Sequence, residues 1–156
     1  MELFRLTRSK YVADLSGFGA AKFGNRWNSE GVEVFYTASS RALAMAEVWA
    51  HLSLPMFLRD YVMVQMKWTG TKNNLQFVTP DQLEAGWDFH TPTRFTQLIG
   101  DTFVHNKTHA GLVVPSAVVP GDTNVVINPN HPVAQKLIIV DIHPFEFPKR
   151  LYTGLG

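Results

Sequence analysis

Arg26, Tyr36 and Glu47 follow one another at intervals of 10 and 11 residues. Arg26 stands in a polar turn, Gly24-Asn25-Arg26-Trp27-Asn28. Tyr36 ends a short apolar run, Val34-Phe35-Tyr36-Thr37, and Glu47 is the single acid of the alanine-rich stretch 41–51. A guanidinium, a phenol and a carboxylate in strand–helix context suit an anionic, hydroxyl-rich ligand such as a nucleotide. Arginine is the side chain best shaped for bidentate phosphate binding. Trp27 adds an apolar wall, and Asn25 and Asn28 add amides. Glu47 has two readings: a boundary residue whose carboxylate reaches water, or a carboxylate held in a cleft where it stabilises developing positive charge.

The elements that must position these groups follow from pattern. Glu2 to Thr7 alternates and reads as a strand, with Leu3 and Arg5 on one face and Phe4 and Leu6 on the other. Arg5 is either a surface arginine on an edge strand or a phosphate contact. Residues 9–33 read as loop. Their glycines lack the spacing of a dinucleotide fingerprint and suit close approach of the backbone to a ligand or neighbour. Val32 to Thr37 predicts a strand. Ser39 or Ser40 caps a helix over 42–52, on which Leu43, Ala46, Glu47, Ala50 and Leu54 form one stripe.

Tyr61 to Trp68 alternates cleanly and predicts a strand. Thr79-Pro80-Asp81-Gln82 predicts a helix start, with the helix ending near Gly86-Trp87. A further helix is predicted over 93–106, burying Phe95, Leu98, Ile99, Thr102 and Phe103. Strands follow at 111–115, 124–127, 137–142 and 145–151. Ser116, directly after Pro115, reads as an exposed hydroxyl at a bend, and Asn128 and His131 as members of a proline-fixed turn. No Gly-x-Ser-x-Gly surrounds Ser116, so a hydrolase elbow is unsupported. His105 and His109 have metal-ligand spacing without a third ligand in view.

The order of these elements is mixed, with strands clustered late, closer to α+β than to a doubly wound sheet. At 156 residues, 46% apolar and 17% charged, the chain reads as one folded domain. A net charge of +1 gives no electrostatic case for nucleic acid or membrane as the main partner. The absence of cysteine excludes disulfides and thiolate chemistry and fits a cytoplasmic protein. No apolar run is long enough to span a membrane.

Taken together, Phe4-Arg5-Leu6, the 24–28 turn, Tyr36-Thr37, Ala44-Met45-Ala46-Glu47-Val48, Gly86-Trp87, Gly100-Asp101, the 114–120 block and the 124–132 block resemble the RES domain family, in family order and over nearly the whole chain. Two positions depart from the family pattern: Asn25 stands for a usual glycine, and Lys149 for a usual acid. The resemblance implies a single RES-like domain over 1–156 with an ADP-ribosyltransferase-like fold: mixed β-sheets and flanking helices. It implies a toxin of a type II toxin–antitoxin pair that depletes NAD by breaking the nicotinamide–ribose bond, as a glycohydrolase or a phosphorylase. The alternatives are ADP-ribosyl transfer to a protein and non-catalytic nucleotide binding. A metal-dependent hydrolase built on His105, His109 and His131 is a more distant rival. The catalytic residues implied are Glu47, Arg26 and Tyr36. Ligand contacts are expected from Arg5, Arg26, Trp27, Tyr36, Ser116 and Asn128. NAD enters as substrate, with no cofactor and no metal. The implied partner is an Xre-like antitoxin, in whose complex the chain could form a homo-oligomer, without direct contact to nucleic acid or membrane.

Overall fold

A computed structural model describes residues 1–53 and 59–154. Among these residues seven strands form one mixed sheet: β1 (Glu2–Arg8), β2 (Phe35–Ala38), β3 (Tyr61–Trp68), β4 (Leu75–Phe77), β5 (Gly111–Pro115), β6 (Thr123–Ile127) and β7 (Leu137–Phe145). Their spatial order is β4-β5-β6-β2-β1-β3-β7. β4 and β5 run parallel and every other neighbour is antiparallel. Among the described residues three helices accompany the sheet: α1 (Phe18–Phe23), α2 (Arg41–His51) and α3 (Arg94–Asn106). The architecture is the α+β class expected from the pattern.

Several expectations need correction. β1 is not an edge strand; it lies between β2 and β3. The stretch read as loop contains α1, and Gly17 enters it at φ 77°, with its Cα so near the Val34 backbone that a Cβ would approach Val34 N to 2.8 Å. Thr79 and Gln82 do form a reciprocal cap, yet they close one 3-10 turn over Pro80–Gln82 rather than a helix. The last two strands are one, β7, followed by a 3-10 turn over Lys149–Leu151. Leu54 lies outside the described residues.

The geometry that matters for function is a parting of the sheet. β1 pairs with β3 from Glu2/Lys67 to Arg8/Tyr61, whereas it meets β2 at Phe4 opposite Ala38. From there β1 and β2 part, and both line a cleft. α2 starts at Ser40, whose Oγ accepts a hydrogen bond from the Leu43 N–H, 3.1 Å long. Its Leu43 and Ala44 pack against Phe4, Leu6, Ala38 and Met63. Glu47 follows one turn later, half-buried, while Ala50 is exposed.

α3 buries Phe103 and packs Ile99 beside it as expected, but the rest of its inward face differs. Thr96, Gly100 and Phe103 are buried, while Phe95 and Leu98 are exposed. The reason is Gly100: a Cβ there would stand 1.7 Å from the Trp27 carbonyl oxygen. Only a residue without a side chain lets the helix press against the turn that carries Arg26. Gly100→Ala is therefore expected to destabilise the fold by about 2 kcal/mol through overpacking and to reduce activity with it. Thermal unfolding of the variant beside the parent checks this.

Candidate functional site

The turn carrying Arg26 is fixed from within. The Asn25 N–H donates to the Asn28 carbonyl at 2.8 Å. Asn28 is fully buried, and its Nδ2 donates to the carbonyls of Ala20 and Val32, each at 3.0 Å. The Tyr36 hydroxyl donates to Asn28 Oδ1 at 2.8 Å and accepts from the Trp27 N–H at 3.0 Å. The phenol thus ties β2 to the turn. Asn28, expected to offer its amide to a ligand, spends it on the protein instead.

Arg26 projects from this turn into the cleft wall. Its Nη1 donates to the Trp87 carbonyl and its Nη2 to the Phe89 carbonyl, the latter at 2.7 Å. Trp27 stacks near Trp87, ring centroids 6.2 Å apart and tilted by 44°. The guanidinium therefore holds the 87–90 segment against the cleft, a role that sequence reading did not foresee. Burial lowers the Arg26 pKa, and the nearby Glu47 and Asp88 charges oppose that shift. An arginine so shifted stays cationic.

Glu47 faces the cleft from α2. Its Oε1 accepts from Ser116 Oγ at 2.7 Å and from Asn124 Nδ2 at 2.6 Å. Ser116 is not the exposed hydroxyl expected at the bend; it is 4% exposed. Its Oγ also accepts the N–H groups of Val118 (3.0 Å) and Val119 (2.9 Å), which directs its own hydrogen to Glu47. Ser116 thus acts on Glu47, and it is absent from the cleft wall. Asn124, missed in the sequence, is in that wall. It gave no signal there, because its partner lies 77 residues away.

Arg5 lines the cleft as well. Its guanidinium lies 4.6 Å from the centre of the Phe35 ring, and Nη1 donates to the Asp14 carbonyl at 3.0 Å. Burial lowers its pKa, opposed by the Asp14 carboxylate. Asn128 is not brought to the cleft. It is fully buried beyond β6, where Nδ2 donates to the Val104 carbonyl and Oδ1 accepts from the Asn130 N–H. His105 Nδ1 contacts the Asp101 carbonyl, and His131 Nδ1 accepts from the Val133 N–H. Among the described residues no three His, Asp or Glu side chains are grouped so as to hold a metal ion, and no helix is long and apolar enough to cross a membrane.

The cleft has a volume of about 610 Å³. Arg26, Tyr36 and Glu47 line it together, with Arg5, Trp27 and Asn124. His51 of α2 and His90 of the 87–90 segment meet at 6.4 Å between ring centroids. One anchored carboxylate and two guanidiniums on apolar walls can hold a ligand that carries phosphate and sugar hydroxyls.

Burial pushes the Tyr36 phenol well above its ordinary value of 10.0. It is therefore protonated at every working pH and serves as a neutral hydrogen-bond partner, not as a base. A raised folded pKa means that this contribution to stability is complete below pH 10.0 and falls as pH rises beyond it. Tyr36→Phe is expected to lower stability by about 1–2 kcal/mol at pH 8, through the unpaired Asn28 and Trp27 groups. Its stability should also decline less than the parent's between pH 10 and 11. Chemical denaturation across that range reads both effects.

The RES domain profile matches residues 2–148. The chain is 38% identical over 130 residues to a protein named Toxin Res from Photorhabdus laumondii, covering 83% of this chain and 82% of the relative. It is 38% identical over 129 residues to a Prs ADP-ribosylating toxin from a Sphingobium species, covering 82% and 80%. A Toxin Res from Pseudomonas putida matches at 33% identity over 143 residues, covering 89% and 95%. Among solved structures, a chain of the M. tuberculosis MbcT–MbcA toxin–antitoxin complex superposes with a TM-score of 0.74 at 23% identity, covering 97% of this chain and 86% of that one. That likeness is one of fold.

Proposed function

The chain belongs to the RES domain family, and on that premise we propose that it is the toxin of a toxin–antitoxin pair and breaks the nicotinamide–ribose bond of NAD. The observation that carries this reading is the anchored Glu47 carboxylate on the wall of a cleft that also presents Arg26 and Arg5. The names of the relatives, and the toxin–antitoxin complex among the structural neighbours, support the toxin role and an antitoxin partner.

In the proposed reaction the C1′–N bond of the nicotinamide ribose breaks. Its electron pair stays with nicotinamide and neutralises the pyridinium charge, so no acid is needed to protonate the leaving group. Positive charge builds on the ribose, as in glycoside cleavage. Glu47 stabilises that charge as it develops. The phosphates meet Arg5 and the N–H groups of Arg26 that Trp87 and Phe89 leave over. Tyr36 holds the Arg26 turn and offers its ring as a wall. An oxygen nucleophile then bonds to C1′ and gives up its proton to solvent.

The acceptor defines the enzyme class. Hydrolysis and phosphorolysis are the first reading. Transfer to a protein is the second, favoured by the ADP-ribosylating relative at 38% identity. Incubation of the protein with NAD, with and without phosphate, followed by mass analysis, separates them. ADP-ribose identifies hydrolysis, and a phosphorylated ADP-ribose formed only with phosphate identifies phosphorolysis. Intact NAD in both tubes, with nicotinamide released once cell extract is added, identifies transfer. Intact NAD under all three conditions would leave a binding protein.

A further inference from the structure

Asn124 opens a second question about the same cleft. A carboxylate only accepts hydrogen bonds, so the Asn124 NH₂ group must be the end that meets Glu47 Oε1 at 2.6 Å. The carbonyl end, Oδ1, is then turned away from Glu47 and makes no hydrogen bond among the described residues. Ser116 Oγ occupies the same Oε1 at 2.7 Å. Both donors converge on one carboxylate oxygen and leave Oε2 without a hydrogen bond among the described residues. Glu47 and Asn124 line the cleft, whereas Ser116 does not. The carboxylate and the amide are coupled by a single hydrogen bond, and each keeps one unused acceptor.

The two side chains are joined by the Asn124–Glu47 hydrogen bond, so their open acceptors suit a ligand that offers a pair of donors close together. A cis-diol has that form: two hydroxyl hydrogens on adjacent carbons. We propose that Asn124 contacts the ligand directly and, with Glu47, reads the cis-diol of the ribose that carries nicotinamide; this rests on the nucleotide reading given above. Oε2 of Glu47 accepts from one hydroxyl and Oδ1 of Asn124 from the other. Ser116, by contrast, is a positioning residue that acts through Glu47. A ligand lacking the two hydroxyls leaves both acceptors facing a partner that cannot satisfy them, which is the arrangement that discriminates most sharply.

The test uses carbocyclic NAD, whose cyclopentane ring in place of the nicotinamide ribose resists cleavage, and its counterpart lacking the cis-diol. Binding of each is measured by calorimetry with the parent, Asn124→Leu and Ser116→Ala. The parent should prefer the diol ligand by about tenfold or more. Asn124→Leu should bind both within about threefold, and Ser116→Ala should keep the preference while its turnover of NAD falls. Should Asn124→Leu fail to fold by circular dichroism, Asn124→Ala takes its place: it lacks the acceptor as well and should likewise bind both ligands within about threefold. Equal binding of the two ligands by the parent overturns the inference and leaves the nucleotide reading standing. So does undiminished preference in Asn124→Leu or Asn124→Ala. Failure of the parent to bind either ligand overturns both.

Discussion

Glu47→Gln should leave a folded protein that releases nicotinamide on the order of 10²–10³ times more slowly, a loss of about 3–4 kcal/mol of transition-state stabilisation. Glutamine keeps the shape and can keep its carbonyl oxygen where Oε1 now accepts from Ser116 and Asn124. What disappears is the negative charge facing the cleft. Glu47→Ala removes the acceptor too and leaves the Ser116 and Asn124 donors to water. It should still fold, because alanine favours helix and the packing of α2 rests on Leu43 and Ala44. Full activity in either folded variant would remove Glu47 from the chemistry. Initial rates of nicotinamide release, read beside thermal unfolding, separate chemistry from folding.

Arg26→Ala should raise the KM for NAD by about 100-fold, the cost of roughly two charge-assisted hydrogen bonds. The structure adds a reason beyond phosphate binding. Arg26 is the clasp on the Trp87 and Phe89 carbonyls, so its loss releases the segment that bears His90 and the Trp87 ring beside Trp27. Hydrogen exchange at residues 87–90 should therefore accelerate in Arg26→Ala even without ligand. Arg26→Lys should recover only part of the affinity, because an ammonium cannot span two carbonyls in a plane as a guanidinium does. Unchanged KM, kcat and exchange would dismiss both roles.

Much of the frame was legible in the chain because it rests on local signals. The alternation of β3, the Ser40 cap and alanine-rich turn of α2, and the helical stretch of α3 each speak for themselves within a dozen residues. What stayed hidden depends on distant partners. β4 has three residues and exists because it runs beside β5. Part of the buried face of α3 was misplaced because a glycine, which carries no hydrophobic signal, is its point of closest approach. β7 runs through Pro144 because its edge position tolerates a missing N–H. Of the site, the charged residues were legible by type and the ordered motifs by resemblance. The amide of Asn124, the burial of Ser116 and the clasp of Arg26 on the 87–90 segment were not, since their contacts span between 61 and 77 residues of sequence. Asn128 shows the converse: a polar residue in a motif, spent on holding Val104 and Asn130 rather than a ligand.

Nicotinamide release is common to water, phosphate and protein acceptors alike, so it reads cleavage of the nicotinamide–ribose bond whichever acceptor is used. The measurement is a time course with NAD labelled in the nicotinamide ring, run with purified protein, phosphate and cell extract present, for the parent and for Glu47→Gln. Labelled nicotinamide is expected from the parent, and from the variant at a rate lower on the order of 10²–10³-fold. Release at equal rates from both, or none from the parent, would contradict it.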